Sequence, residues 1–143
     1  MATRHLSRII VMQSLYEWAF NNYNYEKAKE IFERNLSDFG KDIDEPDFGR
    51  NIFLGVINNI SKIDDILIKS VKSLPFSQVP LLEKSILRLA TYELIENKKE
   101  TPHKVVINEA IELAKNFGNK STAKFINGVL ATVLENIKNN QNN

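Results

Sequence analysis

Few side chains in this 143-residue sequence can do acid–base, nucleophilic or metal chemistry, and their spacing does not assemble them. Cysteine is absent, which removes disulfides, thiolate zinc sites and sulfur nucleophiles. The two imidazoles, His5 and His103, fall in different predicted helices with no carboxylate or second histidine at ligand spacing, so no metal is expected. The five glycines, at 40, 49, 55, 118 and 128, match neither the dinucleotide fingerprint nor the phosphate loop. Both motifs need clustered glycines so that backbone amides can approach phosphate. Glu109 and Glu112 are near neighbours on one predicted helix and could share acid–base work, yet solvated or salt-bridged acids explain them more simply. No nucleophile, base and orienting group come together, and the expectation is a protein without catalysis or cofactor.

What remains is surface charge and aromatic side chains. The formal net charge of +1 exerts no global pull on nucleic acid, so any such binding must come from a local patch. One candidate lies at the start of the chain. From Arg4 to about Asn21 the pattern is helical, with His5, Ile9, Met12, Tyr16 and Phe20 on one line and Val11, Leu15 and Trp18 on a neighbouring one. Arg4 and Arg8 extend the second line, so it turns from apolar to cationic towards the helix N-terminus. There each arginine opposes the helix dipole by roughly 0.3–1 kcal/mol, which an anionic partner would relieve. Two solvated surface arginines are the plain alternative.

The elements that must position these groups are all helical. Tyr25 to Phe39 is amphipathic, with Ala28, Ile31, Phe32, Leu36 and Phe39 on its apolar stripe, and ends at Gly40. The acidic D-I-D-E-P-D link lacks the turn glycine and terminal glutamate of a calcium loop and reads as solvated linker. Pro46 opens a helix running to about Ile60, and Ser61 with Asp64 approximates a capping box for the next, which stops near Leu74-Pro75. Val79 to Asn97 follows, entered through Pro80, with Leu82, Ile86, Leu89 and Ala90 inward. Glu93 projects from that line and needs an internal partner or a partner protein. Lys98-Lys99-Glu100 is a charged loop, and Thr101-Pro102 opens a helix whose apolar stripe is Val106, Ala110, Leu113 and Phe117. Gly118 is expected to supply a left-handed stop and Ser121 the next cap. The last helix carries Ile126, Val129, Leu130, Val133 and Ile137, with Phe125 on the stripe's shoulder beside Lys124, and Gly128 suggests close packing. The expected architecture is all-α, one domain of about seven helices over residues 1–138 with a frayed polar tail at 139–143. No stretch approaches the ~18 apolar residues of a membrane span, and the N-terminus has no secretory pattern, so a cytoplasmic protein is expected.

Four segments resemble the NusB family: R-x-x-x-R-x-x-x-x-Q-S-L-Y-E-W at 4–18, E-K-S-I-L-R-L-A-T-Y-E-L at 83–94, V-I-N-E-A-I-E-L-A-K-N-F-G at 106–118 and S-T-A-K-F-I-N-G-V-L at 121–130. The resemblance implies two packed helical bundles. It also implies a transcription antitermination factor that binds the boxA element of ribosomal RNA transcripts, together with the ribosomal protein NusE, on the elongating RNA polymerase. The family's arginine-rich start falls on Arg4 and Arg8, with His5, Leu6 and Ser7 between them, a thinner basic motif than the richest members show. The family's RNA surface falls further on Tyr16, Lys124 and Phe125, while the loop Asn119-Lys120-Ser121 is free of acid and adds Lys120. Its partner surface falls on Glu83, with Glu93 as a second contact. Cations on phosphate and aromatics on splayed bases are how single-stranded RNA is typically held. Core packing is the alternative for Tyr16 and Phe125. Two other readings stay open: a scaffold that docks NusE with little RNA affinity, and an accessory domain of an RNA methyltransferase. The missing catalytic domain and glycine-rich loop weigh against the latter. A homodimer is compatible with the sequence.

Overall fold

The computed structural model describes residues 2–96 and 101–141, and every regular element among them is helical. The elements are α1 (Ala2–Phe20), α2 (Tyr25–Phe39), α3 (Pro46–Asn58), α4 (Ile60–Ser70), a 3-10 turn (Phe76–Gln78), α5 (Leu81–Ile95), α6 (His103–Phe117) and α7 (Lys120–Gln141). They form two compact units, Met1–Asn59 and Ile60–Asn143.

In the first unit α1, α2 and α3 pack on one another. Val11, Leu15 and Trp18 are buried as expected, along with Ile10 and Met12, but Tyr16 and Phe20 are exposed. Fourfold steps explain the departure, since eight residues at 100° each carry Phe20 about 80° past Met12. Phe32 of α2 stacks on Phe53 of α3 with ring centroids 5.0 Å apart. Between α1 and α2 the chain turns through Asn22 and Tyr23, both left-handed at φ 60° and 57°. The turn is held by Trp18 Nε1, which donates to the Asn24 carbonyl at 3.0 Å, and by Tyr23, edge-on to Trp18. The Asn24 side chain then caps α2 by accepting from Glu26 N. Gly40 follows α2 at φ −116°, so its value lies in close approach: a Cβ there would sit 2.9 Å from Leu36 and Ile43 side-chain atoms. Pro46 occupies the first turn of α3, as its fixed φ favours. Arg50 joins the carboxylates of Glu33 and Asp47, tying α2 to α3.

One residue, Asn59, separates α3 from α4, and α4 already begins at Ile60. Ser61 therefore lies inside the helix instead of capping it. Asp64 serves another purpose, receiving Arg88 Nε at 2.9 Å and Nη2 at 3.0 Å from α5. Arg88 and Lys84 also lie near the face of Phe76, in the 3-10 turn that the sequence pattern did not reveal. That turn and the extended Val79 and Pro80 delay α5 to Leu81. The core of this second unit includes Ile63, Leu67, Ile86, Leu87, Leu89, Ala90, Leu94, Val106, Ala110, Leu113, Ile126, Leu130 and Val133. The expected end of α5 at Asn97 and the Lys98-Lys99-Glu100 loop lie outside the described residues. Helix α7 continues through Gln141, past residue 139 where the polar tail was expected to begin; Asn142 and Asn143 lie outside the described residues.

Candidate nucleic-acid interface

Arg4 sits in the first turn of α1 and Arg8 one turn on, both on the 8–11–15–18 side that faces inward. Arg8 is consequently 3% exposed, whereas Arg4 keeps a third of its side chain in solvent. Both converge on one aromatic: the Arg4 and Arg8 guanidinium carbons lie 4.4 Å and 5.0 Å from the Phe48 ring centroid. Arg4 Nη2 also lies 3.6 Å from Glu45 Oε2. Neither Phe48 nor Glu45 was identifiable from the sequence. The pairing of α1 with the start of α3 is tertiary, and the only local signal was Pro46, which fixes where α3 begins.

Tyr16 is 42% exposed, so core packing does not account for it. It is not beside Arg4, however. Twelve residues along α1 separate them by about 18 Å and about 120° of rotation.

In the second unit the α6–α7 junction places the remaining residues. Gly118 has φ −120° and ψ −125°, so the expected left-handed stop is not formed. Its requirement for glycine is steric, because a Cβ would lie 2.6 Å from Thr122 Oγ1. The cap of α7 is Asn119, not Ser121, which already lies in the helix. Thr122 N donates to Asn119 Oδ1 at 3.0 Å and Asn119 N donates to Thr122 Oγ1 at 3.2 Å, a reciprocal cap. Ala123 N goes to the Asn119 carbonyl, so two amides at the start of α7 are already occupied. Lys120 and Lys124, one turn apart, are exposed, with half-buried Phe125 beside Lys124 as its shoulder position implies. One turn further is Gly128, exposed, with nothing within 4 Å of where a Cβ would stand, so the expected close helix contact is absent there.

Of the residues read as partner contacts, Glu83 lies in the first turn of α5 and is half-buried. Burial pushes its carboxyl above the ordinary range, against a backbone hydrogen bond that lowers it. Glu93 is also half-buried and is not without a partner. Arg4, Arg8 and Tyr16 thus belong to the first unit and Glu83, Glu93, Lys120, Lys124 and Phe125 to the second. Among the described residues no three His, Asp or Glu side chains group to hold a metal ion, and no helix is long and apolar enough to cross a membrane.

The NusB family model matches residues 5–135. A transcription antitermination protein NusB of Sulfurimonas denitrificans is 38% identical over 138 residues, covering 93% of this chain and 97% of that protein. One from Chloroflexus aggregans is 36% identical over 132 residues, 92% of this chain and 86% of its own. Among solved structures, T. maritima NusB superposes with a TM-score of 0.82 at 30% identity, covering 92% of this chain and 90% of that one. A chain from a crystal structure of the antitermination factors NusB and NusE in complex with dsRNA superposes at 0.81 and 25% identity, covering 95% and 98%.

Proposed function

The chain belongs to the NusB family, and on that premise we propose that it is a transcription antitermination factor. It binds boxA-type single-stranded RNA of ribosomal RNA transcripts with the ribosomal protein NusE and delivers it to the elongating RNA polymerase. It acts in the cytoplasm, as an adaptor without catalysis. The observation that supports this reading best is the exposed row Lys120 and Lys124 beside half-buried Phe125, held by the Asn119 cap. Ammonium groups there meet phosphates and the phenyl ring offers a base a surface to stack on. On the first unit Arg4 supplies a further phosphate contact, Arg8 stands behind it, and exposed Tyr16 offers a second aromatic surface. Glu83 and Glu93 contact NusE; a half-buried carboxylate like Glu83 gains most from a cationic partner.

Titration of a boxA RNA against Arg4→Ala, Lys124→Ala and Phe125→Ala at several salt concentrations tests the assignment. Each lost cation should flatten the log–log salt slope by about 0.7, and loss of the phenyl ring should weaken binding about tenfold with the slope unchanged. Unchanged affinity in all three would refute the site.

One observation favours a second reading, a scaffold that docks NusE with little RNA affinity of its own. Arg8 is buried and Arg4 already has Glu45 as counter-charge, which thins the free cationic charge at the start of α1. RNA binding by the isolated protein at moderate salt would exclude it.

A further inference from the structure

We propose that Phe48 is a positioning residue for the phosphate contact at Arg4, and that Glu45 is a built-in counter-anion which the RNA phosphate displaces. The inference rests on the RNA reading above and adds to it two residues from the start of α3.

A free arginine loses side-chain freedom when it binds, and that loss weakens the contact it makes. Arg4 is not free: its guanidinium lies 4.4 Å from the Phe48 centroid, within the range of an attractive cation–π contact. The N–H donors of a guanidinium lie in its plane, at the rim, so an aromatic against its face leaves them able to meet an anion. In the unbound protein that anion is Glu45, 3.6 Å away and 62% exposed at the side chain. An exposed pair of this kind is weak and exchangeable, and a carboxylate presents two oxygens much as a phosphate does. Glu45, just before α3, and Phe48, in its first turn, are fixed relative to each other, because Phe48 N donates to the Glu45 carbonyl at 3.1 Å and Pro46 between them sets the first turn. Arg8 shares the ring at 5.0 Å but is buried, so Arg4 is the guanidinium this platform holds towards solvent. A cation at the positive end of α1 is thereby held by an aromatic face and a carboxylate in place of its own helix.

The test is fluorescence anisotropy with a labelled single-stranded boxA RNA at four salt concentrations. It compares wild type, Arg4→Ala, Phe48→Leu, Phe48→Tyr, Glu45→Gln and the Arg4→Ala/Phe48→Leu pair, with thermal melts of each. Phe48→Leu should weaken binding about threefold, Phe48→Tyr should restore it, and Phe48→Leu should add nothing once Arg4 is alanine. Glu45→Gln should tighten binding about twofold to fivefold, most at low salt. If Arg4→Ala leaves affinity and salt slope unchanged, the RNA reading at this residue falls and the inference with it. If Arg4→Ala weakens binding while Phe48→Leu does nothing, or costs the same without Arg4, the positioning role alone is refuted. Should Phe48→Leu fail to fold, Phe48→Tyr and Glu45→Gln decide: weakened binding in Glu45→Gln overturns the counter-anion.

Discussion

Gly118 and Gly128 lie ten residues apart around the start of α7, and replacing each by alanine should shift stability in opposite directions. At Gly118 the new Cβ would lie 2.6 Å from Thr122 Oγ1, 2.8 Å from Thr122 Cβ and 2.9 Å from the Ala114 carbonyl. Thr122 must move, and with it go its amide bond to Asn119 Oδ1 and the bond that Asn119 N makes to its hydroxyl. Losing the cap costs about 1 kcal/mol and the second bond about as much, with further strain at the carbonyl. A stiffer unfolded chain returns about 0.5–1 kcal/mol, leaving a net loss of about 2 kcal/mol. At Gly128 the methyl meets nothing within 4 Å, in the interior of a helix, and should stabilise by about 1 kcal/mol. For 143 residues the unfolding entropy is about 0.3 kcal/mol/K, so the melting temperature should fall about 7 °C in Gly118→Ala and rise about 3 °C in Gly128→Ala. Circular dichroism at 222 nm with urea and thermal unfolding reads both. Shifts of the same sign, or a neutral Gly118→Ala, would refute the steric account of the α6–α7 junction.

Asp64→Ala should cost about 2–3 kcal/mol in urea unfolding, because it strips a bidentate partner from an Arg88 side chain only 5% exposed; a loss under about 0.5 kcal/mol would mean that the pair is solvated. Thr91→Val should stabilise by about 1 kcal/mol, since the Thr91 hydroxyl is buried without a hydrogen-bond partner and valine has its shape; a lower melting temperature would contradict this. The Arg50 guanidinium, chiefly through its hydrogen bonds, holds the Glu33 carboxyl below its ordinary 4.5. A lowered folded-state pKa adds stability that is present above the unfolded value and lost as pH falls through the folded one. Wild type should therefore lose stability below about pH 4.5 more steeply than Arg50→Ala, and parallel acid-side profiles would sink the assignment.

The helices were legible because the apolar stripes are regular, and Pro46, Thr101-Pro102 and the Phe39-Gly40 boundary punctuate them. The joints were less so. At the start of α7 both Asn119 and Ser121 are capping types, and the bond from the Thr122 amide to Asn119 Oδ1 marks Asn119 as the one used. Gly118 has the right residue type for a left-handed stop and is used for close approach, a choice made by Thr122 in space and invisible in the local pattern. Asp64 shows the same limit: three residues after a serine it looks like a capping acid, but its partner is Arg88, 24 positions later. For the candidate site, the half-burial of Phe125 could be read from its place on the shoulder of a stripe. Burial of Arg8 could have been read in the same way, since it continues the Val11, Leu15 and Trp18 line. Phe48 and Glu45 carried no such mark, because what matters about them is which other helix they touch.

The reciprocal cap at Asn119 has a bearing on how the second unit's charge could be controlled. With the Thr122 amide held by Asn119 Oδ1 and the Ala123 amide in the helix ladder, the proposed RNA contact on that face rests on the exposed primary amines of Lys120 and Lys124. Acylation of either amine would remove one positive charge and leave the helix start intact, whereas an anion site built from backbone amides would be beyond the reach of such chemistry. On the proposed reading, RNA affinity at this face can therefore be lowered in single-charge steps while the element that carries it stays folded.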